Sequence, residues 1–102
     1  MKYYSTNKIT QAVSLKEAVV KGLAIDNGLF MPEQINKFEP DFFDNIQDFS
    51  FQEISFEVAK KFFIDDVEEN KLKEIVYDTL QVDCPLVNVT SNIYSLELFH
   101  GP

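Results

Sequence analysis

The sequence predicts an α+β fold, with about three helices packed on a small β-sheet that includes a C-terminal hairpin. Three observations carry this reading. Three segments place apolar residues at helical spacing behind residues that cap helices. Short β-prone runs stand at both ends of the chain. The 102 residues are 45% hydrophobic, with ten Phe and four Tyr, which suits one core. A domain of this length buries roughly 60–68% of its unfolded surface. We therefore expect one domain over residues 1–102, folding unaided unless a neighbour is needed to cover an apolar face.

Residues 2–5 form the first β-prone stretch. Ser14 and Glu17 have capping-box spacing, so a helix of about two turns should begin at Leu15. Leu15, Ala18 and Val19 share its inner face; Gly22 ends it in a left-handed conformation and Leu23 folds back. Asp26-Asn27-Gly28 is a turn, because Asn and Gly accept positive φ at low cost. Residues 29–31 then read as a short buried strand closed by Pro32.

A single helical turn is expected at residues 41–45. Ser50 and Glu53 repeat the capping box, with Phe49 as the staple residue. Behind them Phe51, Ile54, Val58 and Phe62 recur at intervals of three and four, which marks them as the core face of a second helix. Asp66 and Glu69 suggest a third cap. Leu72, Ile75, Val76 and Leu80 follow as an inward stripe, with Lys71, Lys73, Glu74 and Asp78 outward and an end near Gln81. Cys84-Pro85 breaks that pattern. Residues 86–90, a turn at Ser91-Asn92 and residues 93–99 make a hairpin with one apolar and one mixed face. There is no internal repeat and no low-complexity segment.

Seventeen acidic against nine basic residues give a net charge of −8. No basic patch offsets the repulsion of a phosphate backbone, so nucleic acid is excluded as a partner. The same sign opposes anionic lipid, and no run of about 18 apolar residues spans a bilayer, so no membrane partner is expected. The first seven residues lack the apolar core of a signal peptide and Cys84 is the only cysteine. A soluble, cytoplasmic protein without disulfides is expected. Asn88-Val89-Thr90 fits the glycosylation acceptor pattern, which has no chemistry without export.

Composition and spacing nominate no catalytic residue and no metal site. His100, at a strand end, reads first as structural or solvated and second as a ligand or acid–base group. Cys84 has no basic neighbour in sequence to activate it and reads as packing. Gly22, Gly28 and Gly101 lie too far apart for a phosphate loop. Asp65, Asp66, Glu68 and Glu69 precede a helix, whose positive end they stabilise. Phe51 and Phe62 read as core.

Three segments taken in order alter this picture: residues 13–24, VSLKEAVVKGLA; residues 28–32, GLFMP; and residues 96–102, LELFHGP. Together they resemble threonine synthases of the bacterial and fungal kind. The opening Lys2-Tyr3-Tyr4-Ser5-Thr6 resembles that family's first strand; the likeness is weakest over residues 33–48. The resemblance implies a pyridoxal phosphate enzyme, a carbon–oxygen lyase converting O-phospho-L-homoserine and water to L-threonine and phosphate in threonine biosynthesis. In that family the segment ending in His100-Gly101-Pro102 runs into the cofactor lysine, which would lie about five residues beyond Pro102. None of the chain's nine lysines is assigned to the cofactor, because all lie on segments read as surface. The resemblance therefore implies a truncated N-terminal domain, inactive and without cofactor by itself, whose partners are the enzyme's own catalytic domains. Residues 86–102 would form a hairpin leading into the pyridoxal phosphate-binding domain, with His100, Gly101 and Pro102 nearest the cleft.

Two other readings compete. A stand-alone interaction module would hold a partner protein on the apolar hairpin face; an unrelated acidic domain would lack pairing between residues 29–31 and the hairpin. A large apolar area exposed on one side favours the fragment and module readings over a self-contained domain.

Overall fold

The computed structural model describes residues 1–101 and has the expected α+β composition, distributed over two small antiparallel sheets. The first sheet has β1 (Lys2–Ser5) at its centre, flanked by β2 (Val13–Ser14) and β3 (Phe30–Pro32). Tyr4 faces Met31 and Ser5 faces Phe30 in the register. Between β2 and β3 runs α1 (Leu15–Lys21), capped by the Ser14 hydroxyl, which accepts from the Glu17 amide. The Glu17 carboxylate does not close the reciprocal half of the box; it accepts from the Lys21 ammonium at 2.6 Å. Gly22 ends the helix with φ 71° and ψ −56°, a γ-turn geometry closed by the Leu23 amide donating to the Lys21 carbonyl. Leu23 bridges to Leu29 and stays exposed instead of folding back on the helix.

The second unit is helical. After α2 (Pro40–Asp44) and one 3₁₀ turn, α3 (Phe51–Phe63) packs against α4 (Glu69–Thr79). Ser50 and Glu53 form the complete capping box of α3. At α4 the cap is Glu68, whose carboxylate accepts from the Asn70 and Lys71 amides, and not Asp66. The Asp66 and Val67 amides both donate to the Phe63 carbonyl, so the turn leaving α3 takes up Asp66 before a cap can form there.

The core lies on a different stripe of α3 from the one expected. Phe56, Leu72 and Val76 are buried, with Ala59, Phe63, Val67, Tyr77 and Leu80 packed around them. Phe51 is 44% exposed and Ile75 46% exposed, Val58 is exposed, and Ile54 and Phe62 are only half-buried. The helix carries two apolar stripes, and Phe56-Ala59-Phe63 meets α4 while Val58 and Phe62 face the loop after β3.

The last element is the hairpin of β4 (Leu86–Thr90) and β5 (Ile93–Leu96), turned at Asn92 with φ 62° and carrying an irregularity between Asn88 and Thr90. It is a separate sheet, and β3 pairs with β1 instead. The pairing of residues 29–31 with the hairpin is therefore not made. β5 also stops at Leu96, short of the expected Phe99.

The helical unit and the first sheet are joined by few polar ties. The Tyr3 hydroxyl donates to the Phe62 carbonyl at 3.0 Å, and the Met1 ammonium lies 3.2 Å from the Asp66 carboxylate. Burial, followed by Asp66 and Asp65, raises the Tyr3 phenol above its ordinary 10.0. The radius of gyration is 16.6 Å, against about 13 Å for a compact domain of 100 residues. The accessible surface is 7743 Å², about a third more than a folded monomer of 11.8 kDa exposes. The chain thus buries only about 55% of its unfolded surface, less than expected for a self-sufficient core.

Candidate functional site

Two regions hold the polar groups and open apolar surface from which a site would be built. The first is the turn joining α1 to β3. Asp26 Oδ1 accepts from the Ser5 hydroxyl at 2.6 Å and the Gly28 amide at 3.0 Å, while Oδ2 accepts from the Ile9 amide at 3.2 Å. Asn7 Nδ2 donates to the Asp26 carbonyl at 2.7 Å. These bonds, that from Ser5 foremost, hold the Asp26 carboxyl below its ordinary 3.8. Ser5 is fully buried. Asn27, with φ 62°, takes the left-handed position of the turn. Gly28 serves a different need, since a β-carbon there would collide with Ser5 Oγ and lie 2.9 Å from the Asn7 nitrogen. The sequence offered Asp26-Asn27-Gly28 only as a turn; its locking of residues 5–9 depends on contacts about 20 positions away. These bonds tie the turn to residues 5–9, so the knot positions the opening strand.

The second region is the C-terminal hairpin, where the site residues were expected. Leu86, Val89, Ile93, Tyr94, Leu96 and Leu98 are exposed on it, and Phe99 is 76% exposed. No helix or strand packs extensively along it. One bond extends the ladder past β5, from the Glu97 amide to the Pro85 carbonyl at 3.0 Å. The chain then turns so that His100 Nε2 lies 2.7 Å from Glu97 Oε2, with the imidazole against the Phe99 ring at 4.6 Å between centroids. The imidazole is thereby oriented, and it remains solvent-accessible. Gly101 has Val82 Cγ2 as the sole neighbour an added β-carbon would meet, at an ordinary 3.8 Å. Among the described residues no contact therefore requires glycine there. Pro102 lies outside the described residues.

Under the hairpin a cavity of about 510 Å³ is lined by Phe51, Gln52, Val82, Cys84, Leu96 and Leu98, among others. Cys84 is a half-buried free thiol there, with Asp83 the only charged lining residue. Gln52 Nε2 donates to the Leu80 carbonyl at 2.9 Å and ties α3 to the end of α4 beside this cavity. Among the described residues no group of three His, Cys, Asp or Glu side chains could hold a metal ion, and no helix is long and apolar enough to cross a membrane.

A pyridoxal phosphate site does not fit the residues present. A Schiff-base lysine needs a desolvated amine. Seven lysines lie in open solvent; of the two half-buried ones, Lys60 pairs with Glu57 at 2.7 Å and Lys61 stacks over Phe38. No step of cofactor chemistry is assigned to them.

The family described as threonine synthase N terminus matches residues 2–80. Over 106 residues the chain is 37% identical to the threonine synthase of Schizosaccharomyces pombe, covering 98% of this chain and 21% of that protein. It is 32% identical to that of Escherichia coli strain K12 over its whole length, which is 24% of the relative. The crystal structure of the Escherichia coli threonine synthase superposes over 99% of this chain and 24% of its own, with a TM-score of 0.86. A PLP-bound threonine synthase from Brucella melitensis matches over 100% of this chain and 23% of its own, at 32% identity and a TM-score of 0.83. The chain thus spans between a fifth and a quarter of the length of these relatives. Both structural matches extend across the hairpin, beyond the residues matched by the family, so its failure to pair with residues 29–31 does not mark an unrelated fold.

Proposed function

This chain belongs to the threonine synthase N-terminal family, and from that premise we propose that it is the N-terminal domain of a cytoplasmic, pyridoxal phosphate-dependent threonine synthase. The whole protein converts O-phospho-L-homoserine and water to L-threonine and phosphate, with the cofactor lysine about five residues beyond Pro102. Lysine and cofactor supply the carbanion-stabilising chemistry; residues 1–102 supply the support on which that segment is mounted. Without the catalytic domains the chain is inactive.

One observation carries this reading: a whole-chain likeness to threonine synthases in a molecule whose surface exceeds that of a closed domain by about 1,800 Å². One side of a standard protein interface buries about 800 Å². The excess therefore suits a piece that other domains cover, and the bare hairpin is one of its apolar parts. His100 enters as a cleft residue through its place at the end of that hairpin, with Glu97 as its positioning residue; Gly101 and Pro102 complete the approach to the lysine. The exposed hairpin also suits an interaction module that holds a separate protein.

The experiment is to read the source gene beyond the Pro102 codon, express the continuous product, and measure phosphate release from O-phosphohomoserine beside the 102-residue chain. Release by the longer product alone is the expected result. A stop codon after Pro102, or a longer product with no phosphate release, overturns the synthase reading; the stop codon turns attention to the module.

A further inference from the structure

Between the loop after β3 and the outer stripe of α3 lies a cavity of about 440 Å³ that shares no lining residue with the one under the hairpin. Its walls are Ile35, Phe38, Phe43, Val58 and Phe62, and the charged residues lining it are Lys37 and Lys61. Small-molecule sites typically measure about 300–1,000 Å³, with apolar walls and a few polar groups that fix orientation. Phe38 stacks on Phe42 with centroids 4.1 Å apart and meets Phe43 edge-on at 6.1 Å, so one wall is a packed aromatic cluster.

Lys61 Nζ stands 4.7 Å above the Phe38 ring and donates to the Lys37 carbonyl at 3.3 Å. An ammonium has three donors, so this arrangement leaves capacity for another acceptor. Lys21, Lys60 and Lys71 each pair with a carboxylate. Among the described residues Lys37 and Lys61, like Lys2, Lys8, Lys16 and Lys73, do not. No acid lines the cavity. Its charge complements an anion, and its walls complement hydrocarbon.

We propose that this cavity binds a small amphipathic carboxylate, with the apolar body between Phe38, Phe43, Val58 and Phe62 and the carboxylate on Lys61. A cationic head group would meet two like charges, and a neutral one would leave the Lys61 ammonium without a counter-charge. The site is independent of the synthase reading.

The test titrates the ¹⁵N-labelled chain, whose dispersed amide spectrum first establishes that it is folded, with sodium octanoate, 1-octanol and octyltrimethylammonium below their aggregation limits. Octanoate is expected to shift the amides of residues 35–38, 58, 61 and 62, and to bind about tenfold more tightly than octanol, as a charge-assisted contact should. Lys61→Gln is expected to remove that preference and Lys61→Arg to retain it, with circular dichroism reporting that both keep their helices. Val58→Phe, which fills the cavity, should weaken octanoate and octanol alike. Equal affinities for the carboxylate and the alcohol, preference for the ammonium, shifts confined to the hairpin, or no binding overturns the proposal.

Discussion

Asp26 holds the Ser5 hydroxyl and the Gly28 and Ile9 amides with one carboxylate. Its folded value is depressed below 3.8, so its contribution is present above that pH and is lost as pH falls through the lower folded value. Glu53 and Glu68, held below their ordinary 4.5 chiefly by the Ser50 and Asn70 amides, act in the same direction. Urea unfolding followed from pH 7 to pH 2 should show stability falling below about pH 4. Asp26→Asn should be less stable at pH 7, because its amide must oppose a donor, and should show a shallower acid limb. At this scale the sequence was half legible. Asn27-Gly28 announced a turn; that Asn27 takes the positive φ while Gly28 yields space to Ser5 depends on a strand 23 residues earlier. The pairing of His100 with Glu97 was not legible, because the expected strand continued through Glu97 to Phe99.

Elements were read well wherever local chemistry decides them. β1, α1 and α3 follow from their caps and apolar runs, and Ser50 with Glu53 closes the predicted box on α3. The cap of α4 was misread because four acids crowd the segment from Asp65 to Glu69, and only the hydrogen bonds to the Phe63 carbonyl decide among them. Glu68→Ala should therefore destabilise the protein more than Glu69→Ala does, because only Glu68 accepts from the first amides of α4; chemical denaturation of the two variants checks the order. The stripe of α3 was misread for a related reason. A helix with apolar residues on two faces satisfies helical periodicity twice, and spacing alone does not say which face α4 covers. Phe56 won over Phe51 and Val58, which left Val58 and Phe62 to the loop cavity.

Over the whole molecule, the α+β class and the family were legible; the division into two sheets was not, because strand pairing between distant segments leaves no local mark. The shortfall in burial was foreseen only as a condition, that a neighbour might be needed, and the extended shape realises it. The hairpin has a further, colloidal consequence. A two-stranded ribbon has an open edge on each strand, where unpaired amides and carbonyls can recruit another chain. Natural edges are defended by lysine, proline or short strands, yet residues 86–96 carry no charged side chain and no proline in a chain that is otherwise a quarter charged. What keeps copies of this chain apart is then mainly their shared net charge of −8, a long-range repulsion that salt removes. Light scattering of the isolated chain should show association rising between about 0.01 and 1 M salt, where the screening length falls from about 30 to 3 Å, and Val89→Lys on the ribbon should suppress it. Ionic strength, more than temperature, would then set how long the isolated chain stays monomeric.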